Sequence, residues 1–264
     1  MMSPIGRTQT LHSVMDPARA EALFATLGET PKGPELPPFF HQIYFWEPEP
    51  PEQLGRDGHT RIGEFVPDLG LRRRMWAGGQ LTFHAPLLSG VPAEKRMTIE
   101  AVKQKTGRTG PLALVSIRHE VIQDDTLRVT EMQDLVYRDE HSSDGPQPVP
   151  PTARTDETVC ERFDFNTTLL FRYSALTLNG HRIHYDEDYA RNVEGYSGLV
   201  VHGPLLAQML MLMAERHLGP LRSFSFRATA PLMHHETAEF CMNGSDMWVR
   251  GPDGRQIMRA QVNV

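Results

Sequence analysis

The sequence predicts an α+β fold in which long antiparallel sheets wrap around central helices, and three observations support this prediction. One segment reads as a helix that is apolar on nearly every side, so other elements must enclose it. Several stretches alternate apolar and polar residues, as strands with one solvent-facing side do. A short internal repeat precedes hairpins in both halves, which favours duplication of one helix-and-sheet unit.

Two segments carry clear helix signals, one in each half of the chain. Pro17–Leu27 follows Asp16, a good N-capping residue, and is followed by Gly28. Gly203–Leu218 has a proline at its second position and stops before Gly219. Leucines and methionines cover most of its circumference, so we expect this helix to be buried on most sides.

Alternating segments predict two sets of hairpins. Residues 112–122 and 127–137 flank a short turn in the first half, and residues 239–242, 247–250 and 256–264 repeat the pattern at the end of the chain. The internal repeat (HAPLLSGVPAE and TAPLMHHETAE) stands before each set and shares Ala-Pro-Leu and a closing Ala-Glu. We therefore expect the same unit to occur twice.

The proline-rich stretches suggest how the chain is divided. We predict an N-terminal unit at 1–140, a linker at 141–158 that is rich in Pro, Ser and Thr, and a C-terminal unit at 159–264. A second proline-rich stretch, 31–38, precedes the apolar sequence FFHQIYFW. Because that sequence needs a buried place, we expect this stretch to wrap the first unit.

Composition excludes several classes of protein. The chain has 264 residues, 39% of them hydrophobic and 23% charged, which is typical of a folded globular protein. Its net charge of −6 argues against a nucleic-acid partner, and no apolar run approaches the length of a membrane helix. Two cysteines suit a reducing compartment, so we expect a cytoplasmic location, with residues 1–15 as an ordinary N-terminus rather than a targeting segment.

The segment 173–203 concentrates the residues that could carry chemistry. We interpret 167–173 as a strand, the polar residues after it as a loop, and 186–192 as a short acidic helix. The loop would face the start of the buried helix at Gly203. Free N–H groups there carry partial positive charge and can hold a developing oxyanion.

The same segment resembles a known family. Three parts of it resemble the MaoC-type, (R)-specific enoyl-thioester hydratases. These are Tyr-x-x-Leu-Thr at 173–177, the pair His181 and His184, and Val-His-Gly-Pro at 201–204. Residues 72–87 (RRRMWAGGQLTFHAPL) are similar to the N-terminal unit of FAS1-like dehydratases. The resemblance implies a double hot-dog chain, with a degenerate first unit and the catalytic loop in the second.

The implied activity is that of a hydro-lyase, which adds water to an enoyl-CoA or removes it from a 3-hydroxyacyl thioester. Within this family the chain resembles hydratases of C5 dicarboxylyl-CoA esters, such as itaconyl-CoA or mesaconyl-C4-CoA, and mitochondrial-type hydroxyacyl-thioester dehydratases. A small branched dicarboxylyl-CoA is therefore the substrate we expect.

One departure from the family motif concerns the catalytic residues. Asn179 stands where the motif has its catalytic Asp, and His181 stands where it has Asn. An amide cannot accept a proton, so we assign proton transfer to His184, water orientation to Asn179 and carbonyl polarisation to the N–H of Gly203. By residue type alone, Asn179 is also a turn former and His184 also suits a hydrogen-bonded core position.

The remaining candidates are predicted to bind substrate. Tyr173, His181 and His202 belong to the matched motifs, and His181 is also a candidate second proton-transfer group. His202 equally suits a structural role at the helix entry. Arg74 and Trp76 lie in the segment that is similar to the N-terminal unit.

Arg74 closes a run of three arginines, which could be a solvated strand end or a contact for CoA phosphates or a substrate carboxylate. Arg172 and Arg227 compete for the same role. No cofactor is expected, because water and the thioester supply the chemistry. We also expect no metal, since the His-x-x-His at 181–184 and the pair His234–His235 lack the context of H-E-x-x-H.

Two other classes of function stay open. A thioesterase on this fold normally needs a carboxylate near the helix mouth, where Asp186, Asp188 and Glu194 are available. A non-catalytic acyl-CoA-binding module is the alternative if Asn179 marks a loss of activity. An acyl-CoA thioester is the expected partner in each case, and a homo-oligomer is possible.

Overall fold

The computed structural model describes residues 3–61, 63, 65–71, 73–107, 110–138 and 149–264. The strands in this part of the chain are β1 (Thr8–Ser13), β2 (Glu35–Leu36), β3 (Arg73–Phe83), β4 (Leu87–Leu88), β5 (Ala93–Gly107), β6 (Gly110–Gln123), β7 (Thr126–Arg138), β8 (Val159–Asp164), β9 (Ser223–Ala228), β10 (Thr237–Asn243), β11 (Asp246–Arg250) and β12 (Gln256–Asn263). Ten of them form one antiparallel sheet in the order β1-β5-β6-β7-β3-β9-β12-β11-β10-β8, and β2 pairs with β4. The predicted hairpins are confirmed.

Four α-helices lie in the described residues: α1 (Pro17–Leu27), α2 (Thr167–Thr177), α3 (Glu187–Asn192) and α4 (Gly203–Leu218). The two predicted long helices and the short acidic one are confirmed. The side chain of Asp16 caps α1 by accepting from the N–H of Ala18 at 3.0 Å. No helix of the described residues is long and apolar enough to span a membrane.

The strand predicted at 167–173 is wrong, because this segment is the first part of α2. Asn166 caps the helix through its side-chain oxygen, which accepts from the N–H of Leu169 at 2.9 Å. Leu169, Leu170 and Tyr173 then form one buried side at helical spacing. Threonines and aromatic residues favour strands, but the cap and the packing against α1 override that preference.

The two halves repeat one order of elements, a strand and a helix followed by four main strands of the sheet, which agrees with the predicted duplication. The two copies of the internal repeat lie in equivalent places, one between β3 and β5 and the other between β9 and β10. The halves differ at the centre. α1 corresponds in order to α2, and the described part of the first half has no counterpart of α4.

The centre of the first half is filled by an aromatic segment instead of a long helix. A single 3₁₀ turn, Phe40–Ile43, occupies this position. Phe39, Phe40, Tyr44 and Phe45 around it are all buried, as predicted for the apolar sequence after the prolines. A central helix in each unit was expected, and only the second half has one in the residues described.

The half-sheets join where β3 pairs with β9, with Gly78 opposite Arg227 and Leu81 opposite Phe224. Gly78 is required here, because a Cβ on it would overlap the backbone carbonyl of Phe226. This junction brings the start of β3 close to the loop between α2 and α4. Of the predicted linker, residues 141–148 lie outside the described residues, and the domain boundaries stay a prediction.

Candidate active site

The polar loop begins with a tight reversal after α2. Leu178 has a left-handed backbone, with φ of 49°, a conformation that favours glycine. The N–H of Asn179 donates to the Ser174 carbonyl at 2.8 Å, and its side-chain oxygen accepts from the N–H of His181 at 3.0 Å. Asn179 therefore builds the turn that carries the histidines, and its amide NH₂ and the second lone pair of its side-chain oxygen are left to contact a water.

His184 is held in one tautomer by the backbone. Its Nδ1 lies 2.7 Å from the Val200 carbonyl oxygen, and a carbonyl only accepts, so Nδ1 carries the proton. The N–H of Val200 donates to the Ile183 carbonyl at 2.9 Å, which fixes the two segments side by side. Nε2 therefore has a free lone pair, and no described residue hydrogen-bonds it. The residue keeps 7% of its surface exposed.

The imidazole of His184 lies at the mouth of α4. Its ring stacks on that of His202, with 3.7 Å between centroids, and His202 is the residue that precedes the first turn of α4. His202 is held by Ser174, whose Oγ lies 2.8 Å from Nε2. The first N–H groups of the helix, beginning with Gly203, have no partner within the helix. The structure therefore places the predicted base beside the predicted oxyanion donor.

Burial keeps the imidazoles of this cluster neutral. Loss of solvent lowers the pKa of His184 to about 3, and the nearby His181 acts in the same direction. Burial, Arg74 and Arg73 lower the pKa of His181 to about 4. Burial and His184 hold the pKa of His202 well below its usual range. A neutral imidazole with a free nitrogen can accept a proton, which a buried imidazolium could not.

The first half supplies a histidine that the sequence analysis missed. Residues 53–61 fold back on themselves, and the N–H of Gly55 donates to the His59 carbonyl at 2.6 Å. This hairpin brings the His59 ring to 4.6 Å from that of His181. Burial, then Arg74 and His181, hold the pKa of His59 well below its usual range. The glycines on either side of Arg56-Asp57 are a signal for a turn, but nothing in the sequence indicates which residues this turn contacts.

Close backbone contact docks this hairpin on the polar loop. The N–H of Arg182 donates to the Asp57 carbonyl at 2.8 Å. Gly58 lies against Gly180, so that a Cβ on Gly58 would overlap the Gly180 carbonyl oxygen. Gly58 also has a left-handed φ of +85°, which favours glycine. Two glycines therefore allow the two halves to meet at the histidine cluster.

The arginines at the start of β3 face the same site, although Arg72 lies outside the described residues. Arg73 forms an ion pair with Glu194 at 2.7 Å, with 17% and 9% of the two side chains exposed. Arg74 is half-buried and close enough to His181 and His59 to lower the pKa of both. The start of β3 is thus part of the site and is not a solvated strand end.

The structure also places the other predicted binding residues. Trp76 packs against Phe39 and Phe226, with centroids 5.8 and 5.9 Å apart, and no ring contact joins it to the described histidines. Tyr173 is fully buried with its ring 5.0 Å from that of His202. Its hydroxyl has no hydrogen-bond partner in the described chain. Burial and the nearby Glu131 carboxylate raise its pKa.

The carboxylates considered for a thioesterase are engaged or exposed. Asp186 caps α3 by accepting from the N–H of Tyr189 and forms an ion pair with Arg182 at 2.7 Å. Glu194 is held by Arg73, and its Oε1 accepts from the Tyr189 hydroxyl at 3.0 Å. Asp188 is exposed on α3. None of the three is placed as a free base beside α4.

Sequence relatives identify the family. Residues 39–234 match the family described as hydroxyacyl-thioester dehydratase type 2. Mesaconyl-C(4)-CoA hydratase of Chloroflexus aurantiacus is 42% identical over 276 aligned residues, which cover 100% of this chain and 97% of that protein. The chain belongs to this dehydratase family. The mitochondrial hydroxyacyl-thioester dehydratase type 2 of Schizosaccharomyces pombe is 27% identical over 81% of this chain and 80% of that protein.

Solved structures confirm the fold. HtdX of Mycobacterium tuberculosis has a TM-score of 0.70 at 19% identity, covering 97% of this chain and 99% of that one. Another protein of this organism, described as having a double hotdog fold, has a TM-score of 0.59 at 13% identity, covering 99% and 96%. The double hot-dog architecture is therefore confirmed, and membership of the family makes the chain a hydro-lyase that acts on enoyl or hydroxyacyl thioesters.

Gly58→Ala tests whether docking of the hairpin matters to the site. We expect kcat/KM for enoyl-CoA hydration to fall about 100-fold, because the added Cβ forces the hairpin away from the histidines. Gly6→Ala is the matched control, since Gly6 has a similar φ of +87° and a Cβ there would have no other atom within 4 Å. Equal losses of activity in the two variants would contradict the docking role.

Proposed function

We propose that the protein hydrates the carbon–carbon double bond of a small, branched C5 dicarboxylyl-CoA thioester of the mesaconyl-C4-CoA type, and catalyses the reverse dehydration. The observation that carries the proposal is the neutral His184 imidazole, which is fixed by Val200 with Nε2 free at the mouth of α4. The full-length 42% identity to the mesaconyl-C(4)-CoA hydratase supports this choice of substrate.

The proposed mechanism uses His184 as the base. Nε2 of His184 takes a proton from water as the water oxygen bonds to the β-carbon, and the electrons of the double bond move toward the thioester carbonyl. The N–H of Gly203 and the helix N-terminus stabilise the oxygen that gains charge. The proton that His184 has taken up is then delivered to the α-carbon, so that the imidazole returns to its neutral form and one water has been added in total.

Asn179 and His181 have supporting roles in this mechanism. The Asn179 side-chain oxygen accepts one hydrogen bond in the turn, so the water would be oriented by its NH₂ group or by the second lone pair of that oxygen. His181 lies next to His184, with 5.5 Å between ring centroids, and it is the second group that can exchange a proton. His184 keeps the place of the motif His, and His181 would take over the proton-transfer part of the missing Asp.

Arg74 is proposed to bind the free carboxylate of the substrate. In a mesaconyl-C4 thioester this carboxylate is attached to the carbon that gains the hydroxyl, so its partner must lie near the base. Arg74 is close to His181 and His59, and no carboxylate of the described chain pairs with it. The competing candidates, Arg172 and Arg227, are both exposed, and Arg227 lies on the face of β9 opposite to Phe226.

We also propose that the protein works in the cytoplasm. Cys160 and Cys241 are free thiols, as is usual in a reducing compartment. Association of chains into an oligomer stays a prediction.

His184→Gln tests the proposed function directly. We expect kcat with mesaconyl-C4-CoA to fall about 100- to 10,000-fold, because an amide at position 184 cannot accept the proton of water. His12→Gln, at an exposed position of β1, is the control and should keep its activity. Loss of enoyl absorbance by wild type without free thiol supports a hydratase. Release of thiol would indicate a thioesterase instead, and tight binding with neither would indicate a binding module.

The pH dependence of kcat/KM tests the state of the base. The neutral imidazole is the active form, and burial lowers the pKa of His184 from 6.5 to about 3. The neutral form therefore persists as the pH falls through 6.5, and we expect kcat/KM to stay level between about pH 8 and about pH 5. An acid limb centred near the ordinary histidine pKa would show that the base is a solvated imidazole and would refute this assignment.

Arg74→Gln tests recognition of the carboxylate. We expect kcat/KM with mesaconyl-C4-CoA to fall about 10- to 100-fold more than kcat/KM with crotonyl-CoA, because a charge-assisted hydrogen bond is lost only with the dicarboxylyl substrate. The ratio of the two substrates separates this effect from any change in His181, which would alter both. Arg227→Gln is the matched control and should leave the ratio unchanged. An equal loss with both substrates would assign Arg74 to CoA or to the histidines.

A further inference from the structure

A pair of cysteines lies on two neighbouring strands at one edge of the sheet, outside the catalytic loop. Cys160 of β8 is directly opposite Cys241 of β10 in the antiparallel register. Their Sγ atoms are 3.8 Å apart, and both are free thiols. The chain contains no other cysteine, so any reaction of thiols in this protein involves these two.

The backbone at this pair suits a disulfide. Directly opposed residues of antiparallel strands have Cα atoms about 4.5–5.5 Å apart, and disulfides span Cα distances of about 4.4–6.8 Å. The two sulfur atoms are already in contact. Bond formation therefore requires rotation of side chains and no separation of the strands.

The two thiols differ in access. Cys160 is exposed on β8, which is the edge strand of the ten-stranded sheet. Cys241 is buried with Ala153 and Trp248. Burial and the neighbouring Cys160 raise the pKa of the Cys241 thiol. Cys160 is therefore the thiol that an external reagent reaches first, and Cys241 is placed to react with it afterwards.

A metal is a poor alternative occupant of this pair. Glu157 is the third group close enough to share an ion with the two sulfurs. Both oxygens of its carboxylate already accept from Arg250, at 2.6 and 3.0 Å. Two sulfur ligands alone fall short of the three or four protein ligands that zinc sites use.

We propose that Cys160 and Cys241 form a redox-modification site, which closes to an intramolecular disulfide by exchange with a low-molecular-weight disulfide such as oxidised glutathione. The Cys160 thiolate attacks one sulfur of glutathione disulfide, and one glutathione thiolate leaves. The Cys241 sulfur, as its proton is lost, then attacks the Cys160 sulfur of the mixed disulfide and releases the second glutathione. The chain loses two electrons and two protons, and one glutathione disulfide is reduced to two thiols.

A disulfide between Cys160 and Cys241 would link the edge strand β8 covalently to β10. In the described chain β8 pairs only with β10, and it leads through Asn166 into α2, which holds Tyr173 and Ser174 against His202. A bond between residues 160 and 241 closes a loop of about 80 residues, which restricts the unfolded chain and stabilises the folded one. The oxidised protein is therefore expected to melt at a higher temperature than the reduced one.

The test uses the folded, full-length protein with oxidised and reduced glutathione in varying ratio. Intact mass should show wild type losing two hydrogens with no glutathione retained, and thiol titration should show both thiols disappearing together. Cys241→Ser should stop with one glutathione on Cys160, whereas Cys160→Ser should not react while folded. The melting temperature should rise by several degrees on oxidation of wild type and should not change in either variant.

Several results would overturn the proposal. Wild type that stays reduced in fully oxidised glutathione, retains a glutathione on Cys160, or joins two chains on a non-reducing gel does not form the internal bond. A reaction that proceeds only after denaturation would likewise exclude a site built by the fold. If Cys241→Ser does not fold, wild type and Cys160→Ser still decide the matter, because Cys160 is exposed and its substitution does not disturb the core.

Discussion

The hydrogen bond between His184 Nδ1 and the Val200 carbonyl is the constraint on which the site depends. It assigns the ring proton to one nitrogen and leaves the other free. Val200 can serve in this way because it is held from both sides: its N–H donates to the Ile183 carbonyl, and it forms a bridge with Met233. The His184 imidazole, the proposed base, is thereby fixed to the part of the chain that leads into α4.

The duplicated architecture lets the two halves divide their tasks. The second half keeps the central helix and therefore the helix N-terminus at which a carbonyl oxygen can gain charge. The first half has an aromatic core around Phe40 in its place and contributes β3 and the hairpin at 53–61 to the site. Pairing of β3 with β9 brings these parts within reach of the histidines. The site is thus composite, although every catalytic assignment falls in the second half.

The site places the Arg74 guanidinium close to the buried, neutral imidazoles of His181 and His59. Arg74 and burial both disfavour protonation of His181 and His59, which keeps proton acceptors available next to a positive charge. If Arg74 binds the substrate carboxylate as proposed, that anion would reduce this effect, and carboxylate binding would be coupled to proton transfer through one side chain. On the proposed mechanism, such coupling would give a chain with Asn179 in place of the motif Asp two neutral imidazoles for proton transfer.

Local patterns in the sequence determined the long helices, the hairpins and the duplicated order of elements. They also determined the loop that carries Asn179, His181 and His184. The reason is that helix caps, turns and apolar periodicity depend on residues that are close together along the chain. α2 was misread because its threonines and aromatic residues suit a strand, and only its Asn166 cap and packing decide for a helix. Tertiary structure alone placed His59 and Arg74 beside His181 and brought Cys160 opposite Cys241. Such contacts join residues that are far apart along the chain, and they depend on strand register and close glycine packing, which no local pattern of residues encodes.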